Sequence, residues 1–256
     1  VRKVSEFSDT RSWVIYGRSG SGKTTLAATF PKPILYLNVR DNGTDSISNV
    51  EDIFVMDIHE FADFEHVYWW LKENPDRYAT VVVDTVSQLQ TMLVEEEGRK
   101  KNRSKARSAG DWGTLSRRDW GDLAGVLKAQ LNDYRDLTQL DIEVVFIAQD
   151  RTFNLSDEEE ENPEMLAPEV GPALMPSVAR ALNASVSVVG NTFIRERIIK
   201  KPKQKATKRI EYCFGIGPSS LYARKVRKPK ERIIPDLVID PQYEDIVDVI
   251  NEGESE

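Results

Sequence analysis

The sequence holds a single cysteine, Cys213, which excludes an internal disulfide and any metal cluster built on cysteines. Histidine is almost as scarce. His59 and His66 have no third ligand at metal spacing and read as helix-boundary or surface residues. No apolar run approaches the ~20 residues of a membrane span. The opening Val1-Arg2-Lys3 lacks the long apolar segment of a signal peptide. A reducing, cytoplasmic setting away from membranes is therefore expected. An overall basic excess is missing too. A net charge of −7 argues against a surface coated for nucleic acid. That average hides segregation, because residues 158–161 and 252–256 are acidic while 99–107 and 195–232 are strongly basic. Local charge is what a phosphate backbone meets.

What is present is enough for one large domain. Apolar residues make up 40% of the 256 and can fill a core, and 30% charged residues solvate the surface. Near the start, Gly17-Arg18-Ser19-Gly20-Ser21-Gly22-Lys23-Thr24-Thr25 fits the phosphate-binding pattern G-x-x-x-x-G-K-[ST] at every fixed position. An apolar run from Trp13 to Tyr16 precedes it as a strand, and residues 25–30 follow as a helix stopped by Pro31 and Pro33. Glycines let backbone N–H groups turn inward as a nest for phosphate oxygens, and the helix start adds its positive dipole end. In such a loop Lys23 reaches the β- and γ-phosphates, and the Thr24 hydroxyl ligates Mg²⁺. The motif implies a nucleoside-triphosphate site.

Further strands are expected at residues 34–39, 53–56, 80–84 and 142–148, with a helix over 61–74 closed by Asn74-Pro75. In Thr80-Val81-Val82-Val83-Asp84-Thr85, strong β-formers run directly into an acid. Asp84 is thereby placed at the carboxyl end of a buried strand, where open α/β sheets bind ligands and a P-loop enzyme holds Mg²⁺. Gln149 follows the strand Ile142–Ala148 and is placed to sense a γ-phosphate. Arg99, Lys100, Lys101, Arg103, Lys105 and Arg107 fall within nine positions with no acid between them, and Trp112 follows. Basic charge beside an aromatic grips single strands by phosphate contact and base stacking. Residues 99–118 read as a mobile basic loop and 151–176 as an acidic, Pro-rich one. The last third alternates strand signals with basic residues and glycine turns, as antiparallel hairpins do. The expected organisation is an extension at 1–11, a nucleotide-binding domain at 12–240, and an acidic helix and tail at 241–256.

The ordered set GRSGSGKTT, an acid after the second strand, TVVVDTVSQL, VVFIAQD and a closing hairpin block resembles the RecA-like branch of P-loop ATPases. More narrowly, LYLNVRDNGTDSI, DWGTLSRRDWGDL and LYARKVRKP…IPDLVIDP are similar to the core-only RecA-like ATPases of bacteriophages, some of which anneal single strands. The likeness covers roughly residues 12–242. It implies an α/β fold: a RecA-like P-loop NTPase core with a mostly parallel twisted sheet, flanked by helices and carrying C-terminal antiparallel hairpins.

By position the resemblance also implies roles. Asp41 is the nearest candidate for the acid that polarises water, with Arg40 where a glutamate aligns most simply. Gln149 matches the amide that reports the γ-phosphate, and 99–107 lies where the family's first DNA loop falls. Lys225 and Arg227 resemble the K-x-R pair that reaches a neighbouring subunit's nucleotide, and strand alternation puts both on one face.

The activity so implied is hydrolysis of ATP with Mg²⁺ by a homo-oligomer on single-stranded DNA in phage recombination or replication, slow in an isolated subunit. A single-strand-binding protein is a candidate partner and the bacterial host cytoplasm the location. No N-K-x-D segment is present to read guanine. Two other readings fit the same residues: a ring-type DNA motor or helicase loader, and a nucleotide-switched interaction protein with weak hydrolysis.

Overall fold

The computed structural model describes residues 10–40, 43–104, 115–153, 169–199, 207–228 and 233–252. Its strands are β1 Ser12–Tyr16, β2 Ile34–Asn38, β3 Ile53–Asp57, β4 Thr80–Asp84, β5 Glu143–Ala148, β6 Asp150–Phe153, β7 Glu169–Pro172, β8 Val188–Ile199, β9 Thr207–Gly215, β10 Lys225–Val226 and β11 Leu237–Ile239. Its helices are α1 Lys23–Ala27, α2 Phe61–Glu73, α3 Val86–Ser104, α4 Arg117–Arg135, α5 Pro176–Ser185 and α6 Tyr243–Glu252.

Continuous apolar strands such as WVIY and VVVD have no polar face to offer water, so both faces must be covered. They are. The main sheet runs β11-β9-β8-β1-β5-β4-β2-β3, with β10 paired to β8. The stretch from β8 through β1, β5, β4 and β2 to β3 is parallel, and β9, β10 and β11 join it antiparallel. Alternation divides each strand between two cores. Val14, Leu35, Val81 and Phe146 pack with α2, α3, α4 and α5 through Phe64, Leu89, Leu127 and Val178. Trp13, Ile34, Val82 and Val145 pack on the other face with α1 and α6 through Leu26, Ile246 and Ile250. The expected RecA-like architecture, a mostly parallel sheet between helical layers with antiparallel C-terminal strands, is present.

Two expected loops shrink. Residues 99–104 continue α3 and 117–118 begin α4, because basic side chains suit a helix C-terminus and pair back one turn: Arg99 to Glu95 at 3.4 Å and Lys100 to Glu97 at 3.9 Å. In the acidic, Pro-rich stretch, β6 and β7 pair antiparallel and Pro176 opens α5, a position that needs no N–H. α5 ends at Ser185, and β8 begins at Val188.

At the opposite end of the sheet from the P-loop lies a buried carboxylate. Glu143 accepts hydrogen bonds from Trp13 Nε1 (2.6 Å), the Arg11 amide (3.1 Å) and the Tyr243 hydroxyl (2.9 Å). Tyr243 also packs on Phe30 and Trp13, so this knot fastens α6 to β1 and β5. Burial raises the Glu143 pKa despite its three donors. Its contribution to stability is therefore full at acidic pH and declines as pH rises above the ordinary carboxylate value of about 4.3. Glu143→Ala should cost about 2–3 kcal/mol in urea unfolding, because buried donors lose their acceptor. Glu143→Gln should flatten the pH dependence of stability in that range. An unchanged slope would show that another group sets it.

Candidate active site

The turn after β1 is shaped by what lies beneath it. A Cβ on Gly17 would sit 2.4 Å from the Thr192 carbonyl oxygen of β8, so only glycine allows that approach. Gly22, the residue before α1, has φ +91°, and a Cβ there would press on the Tyr212 ring at 3.3 Å. Side chains then lock the turn. Ser21 Oγ and Thr192 Oγ1 are hydrogen-bonded at 2.6 Å, and Ser21 also donates to the Arg18 carbonyl at 2.7 Å. Lys23 Nζ donates to the carbonyls of Gly17 (2.7 Å) and Arg18 (2.8 Å), which places a buried ammonium inside the loop.

Opposite the loop, Asp84 ends β4 and is buried. Its Oδ2 accepts from Thr24 Oγ1 at 3.0 Å and from the hydroxyl of the buried Tyr36 on β2. Thr24 and Asp84, each assigned to Mg²⁺ in the sequence, thus touch across the sheet tip. A hydroxyl beside a carboxylate is a hard-oxygen donor pair of the kind Mg²⁺ takes, with the remaining positions left to phosphate and water. Among the described residues no group of three or more His, Cys, Asp or Glu could hold a metal by itself.

These residues open onto a cavity of about 700 Å³. Residues 19–25, Asp84 and Gln149 line one part of it. The rest is lined by residues that motif reading missed: Asp45 and Ser46 after β2, Thr192 on β8, Tyr212 and Cys213 on β9, and Asp240, Pro241 and Gln242 after β11. Tyr212 is 43% exposed and leans over the start of α1. It offers an aromatic face beside the phosphate cradle. Gln149 stands at the β5 tip, its backbone N–H donating to Ser87 Oγ (3.2 Å) and its backbone carbonyl accepting from Ala173 just after β7 (2.7 Å). The main chain at Gln149 is therefore tied to the β6–β7 pair, whose first residue, Asp150, lies 3.9 Å from Arg18.

Of the other expected site residues, those that are described lie away from the cavity. Asp41, Lys105, Arg107, Trp112 and the side chain of Arg103 fall outside the described residues. Arg40, two residues after β2, has a positive-φ conformation and pairs with Glu95 of α3 at 2.8 Å. Lys101 pairs with Asp119, holding that carboxyl down to about 2. Lys225 and Arg227 do share a face, but they do not line the cavity. Lys225 Nζ donates to the carbonyls of Asn183, Ala184 and Val186, and Arg227 to Ala184. Both cap the C-terminus of α5, where the helix dipole favours cations. Burial first, and then Arg227, push the Lys225 ammonium down to about 8.

A family model described as an AAA domain (AAA_24) matches residues 9–227, well over half the chain. The chain belongs to that AAA domain family. It is a P-loop ATPase domain of RecA-like architecture. No curated protein sequence matches this AAA domain. Among solved structures it is similar to a DnaB-like replicative helicase determined for its interactions with primase, at 11% identity and a TM-score of 0.41, over 78% of this chain and 54% of that one. It is also similar to the P4 protein of bacteriophage phi6 in complex with ADP, at 15% identity and a TM-score of 0.30, over 71% and 50%. The AAA domain thus spans about half the length of each.

Lys23→Ala should abolish turnover of this ATPase, and Asp84→Asn should lower it by at least about 100-fold in a phosphate-release assay. Tyr212→Ala should weaken nucleotide binding by about tenfold, the scale of one lost stacking contact, while leaving inorganic triphosphate binding unchanged. Equal loss for both ligands would exclude a base platform at Tyr212.

Proposed function

We propose that this domain hydrolyses ATP with Mg²⁺, as a homo-oligomer acting on single-stranded DNA in phage recombination or replication. The observation that carries the hydrolytic part is the Thr24–Asp84 contact across the mouth of a fully formed phosphate loop. Lys23 and the loop amides bind the phosphates of the substrate, and Thr24 and Asp84 hold the cation. Bound Mg²⁺ neutralises developing charge on the phosphates. Asp41 is proposed to align the attacking water. Asp45, in the described part of the same segment, lines the cavity and is the second candidate for that role. Gln149 senses the γ-phosphate and passes its position to the β6–β7 pair.

The DNA assignment rests on the basic run and its aromatic neighbour. Arg99 and Lys100 are well exposed at the end of α3, although each has an acid one turn back. A cation supplied by a neighbouring subunit is worth several powers of ten in rate in enzymes of this kind. Lys225 and Arg227 would have to leave the carbonyls of α5 to serve in that way, so slow turnover in the isolated subunit follows. A switch protein with weak hydrolysis is the second reading. Arg40, held by Glu95 at the strand end where an acid aligns most simply, favours it.

ATPase rates with and without single-stranded DNA across a salt series test the assignment. Stimulation that fades with salt is expected. Neutralising Arg99, Lys100, Arg103, Lys105 and Arg107 together should weaken DNA binding while sparing nucleotide affinity. No stimulation and no salt-dependent binding would rule out the DNA role. If Lys225→Ala and Arg227→Ala leave DNA-stimulated turnover intact, the action in trans is wrong.

A further inference from the structure

Beyond the main sheet, β8 and β9 continue as a ribbon paired only with each other. β1 pairs with residues 188–191 of β8, and β11 with residues 213–215 of β9. Asp240 donates its amide to the Tyr212 carbonyl at 2.7 Å and pairs with Arg209, and from Arg195 and Glu211 outward the backbone of each strand, among the described residues, pairs only with the other. The ribbon's two faces differ sharply. On one, Arg195 and Arg197 gather around the buried carboxylate of Glu211, at 2.7 and 3.7 Å. On the other, Ile194, Ile198, Ile210 and Tyr212 are 43–60% exposed around the Glu196–Lys208 ion pair at 2.9 Å. A two-stranded ribbon is marginal in water unless an apolar face is packed. This one has the face without the packing.

A second bare surface lies at the far end of the sheet. Among the described residues β3 pairs with β2 on one side only, and it has no Lys, Arg or Pro along its other edge. Phe54, Val55 and Met56 are 40–51% exposed, and Trp69 and Trp70 of α2 add 53% and 41%. Phe54 and Trp70 both pack on Tyr78, which links β3 to α2. The two surfaces are opposite in charge. Among the described residues, segment 51–78 has eight acidic and two basic residues, and the ribbon (193–199 and 207–212) has four basic and two acidic.

We infer that the apolar face of the β8–β9 ribbon is covered by the β3–α2 edge of a second copy of this chain. The two surfaces occupy opposite ends of one sheet, so they meet only between molecules. The contact is heterologous: every copy offers a ribbon to one neighbour and an edge to another, and the chain of contacts closes as a ring or grows as a filament. Aromatic residues at the centre and opposite charges around them are what a specific interface uses. Tyr212 belongs both to the ribbon face and to the cavity wall, so the neighbour is seated at the mouth of the nucleotide site. The inference rests on the proposed homo-oligomer and adds its two surfaces.

Sedimentation of the full chain with ADP and Mg²⁺ tests it through two variants altered only at exposed positions. Phe54→Asp removes the edge, and Ile198→Asp with Ile210→Asp removes the ribbon face. Each variant alone should associate at least about tenfold more weakly than the parent, with unchanged thermal unfolding and nucleotide binding. Mixed in equal amounts they should form a one-to-one dimer and stop there, because each supplies the surface the other lacks. Raised salt should weaken all of these assemblies. If the variants assemble as the parent does, or the mixture stays monomeric while the parent assembles, this pair of surfaces is wrong and the oligomer stands. If the parent itself is monomeric with nucleotide, the surface assignment and the homo-oligomer both fall.

Discussion

Parallel strands buried on both faces leave a charged side chain almost nowhere to stand except at a strand end. Inside β1, β2, β4 and β5 every side chain meets a helical layer on one face or the other, and a charge there would be desolvated without compensation. The polar residues of the site accordingly gather along one edge of the sheet: the loop after Tyr16, Asp84 after Val83, Gln149 after Ala148. Even so, Asp84 is tolerated because the hydroxyls of Thr24 and Tyr36 both donate to its Oδ2. Two layers of helix thus fix the chemistry's location before any catalytic residue is chosen.

The same constraint recurs at the other end of the sheet with a different outcome. Glu143 meets the burial cost with three donors from two separate stretches of chain, and becomes a fastening for α6 instead of a site. A buried carboxylate is therefore not a functional mark in itself. What separates Asp84 from Glu143 is the cavity beside it and the phosphate loop facing it.

How much was legible follows from how local each signal is. The P-loop and the apolar strands ending in Asp84 and Gln149 carry their meaning in consecutive residues, and the structure brings those three together. The second wall of the cavity does not. Thr192, Tyr212 and Asp240 are far apart in the chain, and only the antiparallel return of β8, β9 and β11 lays them beside Gly17 and Gly22. The basic run shows Arg99 and Lys100 in sequence as part of a block of like charge. Helical geometry sets Glu95 and Glu97 one turn away. The Lys225/Arg227 reading was right about the shared face and silent about what that face meets, since nothing near residue 225 announces the end of α5.

β8 has one property with a mechanical meaning. It is a single strand that holds the phosphate loop through Thr192 and Ser21 at one point, and carries Ile198 six residues further out, about 20 Å away. No turn interrupts that span, and β9 braces it throughout. Force applied at the outer end is delivered to the loop as by a rigid lever, and a shift of the loop as phosphate enters or leaves is delivered outward with the same stiffness.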